Sequence, residues 1–215
     1  MFLFVFDFMS VVQRKNPSGL VQAFHQAFDK RDDVFLVIKC AHSEGYPDEM
    51  ARLRRSCQDS RVRIIDGVLS REQTVALMKA ADCYVSLHRS EGFGLTMAEA
   101  MSLAKPVIAT AYSGNMEYMT PGNSFLVKYT LTGIDGEYGP YKTGVWAEPD
   151  LEHAAELMFH VFNNPEAALK VGQSARRHVL EMLSEERIGA LMRDRLIRIA
   201  GLGRIADPGP VHENY

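Results

Sequence analysis

Long apolar runs are missing from this 215-residue chain. The opening run MFLFVF, residues 1–6, is too short to cross a bilayer, which takes about 20 residues. No basic segment precedes it, Asp7 interrupts it, and no small-residue cleavage site follows, so it does not read as a secretion signal. A buried strand fits it, and a chain that opens in a core strand without a leader is expected to be a piece of something longer. Cysteine is scarce as well. Cys40, Cys57 and Cys83 are odd in number, far apart and without a CxxC pair, which argues against a disulfide framework or zinc knuckle and fits a reducing cytosol. Charge of one sign is also lacking: 24 basic against 27 acidic residues leave a net −3, so there is no broad pull toward nucleic acid or anionic membrane. No internal repeat or low-complexity segment is present.

What remains is an ordinary globular composition, 47% apolar and 24% charged, in a chain long enough for one sizeable domain. Apolar runs rich in β-branched and aromatic residues recur at 2–6, 34–40, 62–65, 83–87, 106–109 and 125–127. Helical periodicity fills the gaps at 17–29, 48–57, 70–80 and 95–103. Asn16 and Pro17 are suited to the cap and first turn of the first of these helices, and Ser70 to the cap of the third. Strands apolar throughout and separated by helices predict an α/β fold: a Rossmann-like parallel sheet with helices on both faces. Past residue 150 the pattern is helical only. Asp150 caps a segment to residue 163, and 165–183 and 185–200 follow, the last with Ile188, Leu191, Met192, Leu196 and Ile199 as a stripe. Residues 203–215 read as a frayed tail. The expected division is a Rossmann-like domain over 1–184 and a C-terminal helix with tail over 185–215.

In a parallel sheet the ligand sits at the carboxyl ends of the strands. After the strand ending near Leu87 comes EGFGLTMAE, residues 91–99. Gly92, Phe93 and Gly94 make a turn and a helix starts near Leu95, whose free amides suit a phosphate. Glu91 and Glu99 flank that point. Carboxylates beside phosphate make sense as acceptors for hydroxyls, one for a sugar and one for a ribose. Alternatively Thr96 and Glu99 form a capping box and Glu91 is a solvated loop charge. The string is not G-x-G-x-x-G, and no acidic residue follows at the usual distance, which disfavours a nicotinamide site. Arg14 and Lys15, after the first strand, are either a diphosphate clamp or a solvated basic corner. His88 is either a donor to phosphate or a structural strand-end histidine. His25, His42 and His153 have no metal-ligand spacing, so no metal and no cofactor are expected.

The segment SLHRSEGFGLTMAEAMSLAKPVIAT, residues 86–110, resembles the E-x7-E region of family 4 glycosyltransferases, a retaining group (glycosyl transferases group 1) with the two-domain GT-B fold. The resemblance runs from the first strand to the C-terminal helices and covers the donor-binding half, the C-terminal half of a GT-B fold. It implies transfer of a hexosyl group from a nucleotide-diphosphate sugar to a hydroxyl acceptor, in polysaccharide or glycan biosynthesis, with retention and without a metal. It implies that Glu91 contacts sugar hydroxyls, Glu99 the ribose, the Leu95 and Thr96 amides the diphosphate, and Lys15 the phosphates. Where the family places an arginine this chain has Asp7; Arg14 takes over that role, or Ser10 contributes a hydroxyl. The base is expected near Ile65 and Asp66, read by backbone groups, and Gly114 and Asn115 are candidates on the donor side or a plain helix cap. Residues 128–145 are longer than the family's usual crossing and read as a surface loop, a lid or an acceptor contact. The acceptor, a glycan or lipid-linked molecule, would meet an N-terminal domain that this chain lacks, so the isolated chain is expected to bind donor and turn over poorly. A cytoplasmic location follows, with peripheral membrane association of the full protein left open and no nucleic-acid partner. A non-catalytic nucleotide-sugar-binding subunit and a GT-B sugar-nucleotide epimerase are the competing readings.

Overall fold

A computed structural model describes residues 1–201 apart from 30, 135, 137 and 139–142. The expected frayed tail at 203–215 lies outside the described residues. Six strands form one parallel sheet: β1 (Phe2–Asp7), β2 (Leu36–Ala41), β3 (Val62–Asp66), β4 (Cys83–Ser86), β5 (Val107–Thr110) and β6 (Phe125–Val127), in the order β3-β2-β1-β4-β5-β6. This is the doubly wound Rossmann-like order, and it reverses between β1 and β4. The helices between strands are α1 (Val12–Lys15), α2 (Pro17–Ala27), α3 (Pro47–Ser56), α4 (Arg71–Ala80) and α5 (Leu95–Ser102). The predicted α/β fold is therefore the observed one.

Local chemistry accounts for the element boundaries. Asn16 takes the left-handed conformation that ends α1, and its side chain accepts the Gly19 amide to start α2, with Pro17 at the first helical position. Ser70 and Gln73 form a reciprocal capping box at α4. Strands β1 and β2 are buried on both faces, as apolar crossover strands must be, and Phe4, Leu36 and Ile38 are inaccessible to solvent. Cys40 and Cys83 are small core residues, and burial pushes the Cys40 thiol up to about 12.

The stretch after β6 departs from a plain surface loop. Its flanks pair as an antiparallel hairpin, β7 (Tyr129–Gly133) with β8 (Val145–Pro149). Short-range turn chemistry did not signal it, because the strands lie 11 residues apart. Three helices follow: α6 (Leu151–Asn163), α7 (Pro165–Met182) and α8 (Glu185–Ile199). The first two pack on the core, whereas α8 buries no residue, and its stripe of Leu191, Met192, Leu196 and Ile199 is exposed.

The reversal point is held open by one side chain. β1 and β4 share only the pairs Phe2↔Cys83 and Leu3↔Tyr84 before they part. Beyond that, the hydroxyl of the buried Tyr84 receives the Val5 amide at 3.3 Å and lies 3.2 Å from the Val5 carbonyl and 2.8 Å from Thr96 Oγ1. It replaces the ladder partner that β1 loses. Tyr84→Phe is expected to lower the unfolding free energy by about 1–2 kcal/mol in urea denaturation, since it strands buried backbone groups while removing little volume.

Candidate functional site at the carboxyl ends of the strands

Two loops face each other across the parting of β1 and β4. The first carries Arg14 and Lys15 at the end of α1, and the second carries Glu91 between β4 and α5. They are joined along their length. Asn16 Nδ2 donates to the Leu87 carbonyl at 3.0 Å, and Arg14 Nη1 donates to the Ser90 carbonyl at 2.6 Å. The Glu91 carboxylate receives Lys15 Nζ on one oxygen and lies 3.3 Å from Arg14 Nη1 on the other. All three side chains are nearly withdrawn from solvent, at 10–14% exposure, so the cluster is no solvated basic corner. Burial alone would raise the Glu91 pKa, but Lys15, then Arg14, outweigh it and hold the carboxyl below the usual carboxylate range. That stabilisation is present above the ordinary glutamate pKa and lost as pH falls through the lowered one.

The Gly92–Gly94 turn is fixed from the other side by the segment after β5. Ser113 Oγ receives the Glu91 amide at 2.7 Å, and the Gly114 amide donates to the Glu91 carbonyl at 3.0 Å. A Cβ on Gly114 would sit 2.0 Å from the Gly92 carbonyl oxygen, so only glycine allows this approach. Gly94 has φ +84° and is the N-cap of α5, with the Tyr118 hydroxyl donating to its carbonyl at 2.7 Å. This excludes the Thr96–Glu99 capping box, because the helix has already begun at Leu95. The amides of Leu95 and Thr96 have no acceptor among the described residues, as expected of a first helical turn. Leu95 and Gly92 are exposed, and Phe93 packs on Tyr118 with ring centroids 5.1 Å apart. Glu99 is exposed on α5 and makes no side-chain hydrogen bond or ion pair among the described residues.

A cavity of about 340 Å³ opens at the ends of β1 and β2. Asp7, Ser10, Lys15, Lys39, Val68 and Thr96 are among the residues that line it, with His42 and Leu69. Asp7, standing where an arginine was expected, caps the next turn by accepting the Met9 amide and meets His42 Nδ1 at 2.9 Å. Arg14 points to Ser10, Ser90 and Glu91. Ile65 and Asp66 are exposed at the end of β3, and Asp66 accepts the Ser43 hydroxyl at 2.6 Å.

Lys39 escaped the sequence reading. It is 4% exposed, and its ammonium donates to the Cys40 and Gly67 carbonyls, with burial pulling its pKa down against the attraction of Asp66 and Asp7. A lone lysine inside the apolar run 34–40 was the available signal. A charge in such a place is retained only with partners.

His88 lies beneath the site, inaccessible to solvent. Its Nδ1 is 3.1 Å from Ser86 Oγ, and its Nε2 is 3.1 Å from Asn115 Oδ1 and 3.2 Å from the Tyr112 carbonyl. Two acceptors on Nε2 assign that nitrogen the proton of a neutral ring. Asn115 is equally buried and donates to the Thr110 carbonyl at 3.0 Å, so this pair braces the turn at residues 113–117.

The family model for glycosyl transferases group 1 matches residues 4–178. The chain belongs to that family. It is 30% identical over 151 residues to the trehalose synthase of Pyrococcus horikoshii, which covers 68% of this chain and 31% of that enzyme. Its fold is similar to the glycosyltransferase of Rickettsia africae, with TM-score 0.72, 18% identity, and 93% of this chain covering 47% of the other. It is similar also to Anabaena HepE, solved with UDP and glucose, with TM-score 0.68, 18% identity, and 92% of this chain covering 48%. The chain thus spans about a third of that curated relative and about half of these solved glycosyltransferases.

Burial holds the His88 ring neutral by lowering its pKa, against the opposing pull of Glu91 and the hydrogen bonds at Nε2. In an unfolded chain the same ring takes up a proton near pH 6.5, so the unfolded state binds more protons below that pH and stability falls as pH drops through it. His88→Gln is expected to be less stable at pH 7 and to show a shallower decline in unfolding free energy between pH 7 and 5 than the wild type. An unchanged slope would rule out His88 as the titrating group.

Proposed function

We propose that this chain is the donor-binding half of a retaining glycosyltransferase that moves a hexosyl group from a nucleotide-diphosphate sugar to a hydroxyl acceptor. The observation that carries the reading is the convergence of Lys15, the Thr96 end of α5 and an open cavity at the carboxyl ends of β1 and β2, next to the point where the strand order reverses. In this reading the diphosphate lies across the Leu95 and Thr96 amides and the cations of Lys15 and Arg14. These groups stabilise the negative charge that builds on the leaving phosphate oxygen as the anomeric carbon–oxygen bond breaks, so the reading calls for no metal. Ser10 adds a hydroxyl at the rim of the same cavity, and Gly92, Phe93 and Gly94 set the turn that aims the amides.

Glu91 accepts sugar hydroxyls and Glu99, exposed and without a partner among the described residues, accepts the ribose diol. The base lies beside Lys39, Val68 and Leu69 of the cavity lining, just beyond Ile65 and Asp66. His88 serves by bracing the turn from below. HepE, of similar fold, was solved with UDP and glucose, which supports a nucleotide-sugar donor here. The acceptor and the groups that handle its proton belong to a further domain, so the chain by itself binds donor without appreciable transfer. Among the described residues no helix is long and apolar enough to cross a membrane.

Calorimetric titration with UDP, GDP, dTDP and ADP tests the reading. One of the four is expected to bind, and Glu99→Ala and Lys15→Ala each to weaken it about tenfold, or 1.4 kcal/mol. Binding that survives Glu99→Ala unchanged would remove the ribose assignment.

A further inference from the structure

The basic pair is carried on a structure that does not hold itself together. α1 is a single turn, entered through Val11 at φ +62° without a side-chain cap and left through Asn16 in the left-handed region. One isolated turn is unstable in water, because nucleating it fixes several dihedrals for very few hydrogen bonds. Its last carbonyls also need donors. Arg89 supplies them, with Nη1 donating to the Gln13 carbonyl at 2.6 Å and its amide to the Arg14 carbonyl at 2.8 Å.

The other edge of the same guanidinium meets the hairpin. Nε and Nη2 donate to the two oxygens of Glu148 on β8 at 2.6 and 2.8 Å, a bidentate fork. Its carbon lies 5.4 Å from the Trp146 ring centroid, and the Arg89 carbonyl receives the Ala147 amide at 2.9 Å. Arg89 is also two residues before Glu91.

We propose that Arg89 and Glu148 are positioning residues, through which the β7–β8 hairpin sets the placement of Arg14 and Lys15 against Glu91. The hairpin is therefore part of the donor site's support, although none of its residues lines the cavity. The inference deepens the donor-site reading and rests on it for the nucleotide, but the coupling between hairpin and basic turn stands on geometry alone.

Two measurements on the full chain separate these layers. The first is amide hydrogen exchange without ligand. Glu148→Gln, and more strongly Arg89→Lys, are expected to speed exchange across residues 12–16 about tenfold while the thermal midpoint moves by only a few degrees. The second is calorimetry with UDP and GDP. Glu148→Gln is expected to weaken whichever binds about tenfold, to leave binding of the matching nucleoside unchanged, and to add nothing in a Lys15→Ala background, the mark of two residues acting as one unit. Unaltered exchange at 12–16 in both variants, or acceleration confined to 129–133 and 145–149, overturns the proposal, as does additivity with Lys15→Ala. A wild type that binds neither nucleotide overturns the donor reading for uridine and guanosine donors, while the exchange result still decides the coupling.

Discussion

Between β1 and β4 the backbone ladder runs for two residue pairs and then stops, because the chain winds away in opposite directions on either side of that point. Past that point β1 has no ladder partner on the β4 side. Tyr84 makes it tolerable by lending a hydroxyl to Val5 and Thr96. From that single side chain the geometry spreads outward: β1 delivers the basic turn to one lip, β4 delivers Glu91 to the other, and α5 begins at the floor. Glu91 and Glu99 both bear on Tyr84, whose own pKa is raised first by burial and then by these carboxylates, so its hydroxyl stays a neutral donor.

The electrostatics of the lips follow from confinement. A carboxylate at 10% exposure beside one cation would leave little charge for a ligand, but two cations share Glu91. The cluster carries a surplus positive charge in a place water reaches poorly, where it counts for more than on an open surface. The two cations are held in place by the carboxylate they share. Arg89, two residues before Glu91, instead forks onto Glu148, so the three nearby basic residues differ in their partners rather than in their sequence position.

Much of the fold was legible because its signals are local. Apolar runs of strand length alternate with helical periods, and caps such as Asn16–Pro17 and Ser70–Gln73 draw the boundaries within a few residues of themselves. The motif at residues 91–99 was equally legible: two glycines, a helix start and two carboxylates in nine residues. The hairpin after β6 was not, since its pairing spans an insertion with no short turn between the strands.

The sequence by itself therefore determined the α/β alternation and the turn and helix start within the Glu91–Glu99 segment. Tertiary structure alone decided what the charges do. Lys15 and Glu91 lie 76 residues apart, Arg89 and Glu148 lie 59 apart, and Lys39 reaches a carbonyl 28 residues on. His88 became a buried brace only when Asn115, 27 residues away, was brought against it. The reason is physical: propensity and capping act over one or two turns, whereas the worth of a charge depends on burial and on partners, and only the closed fold supplies those.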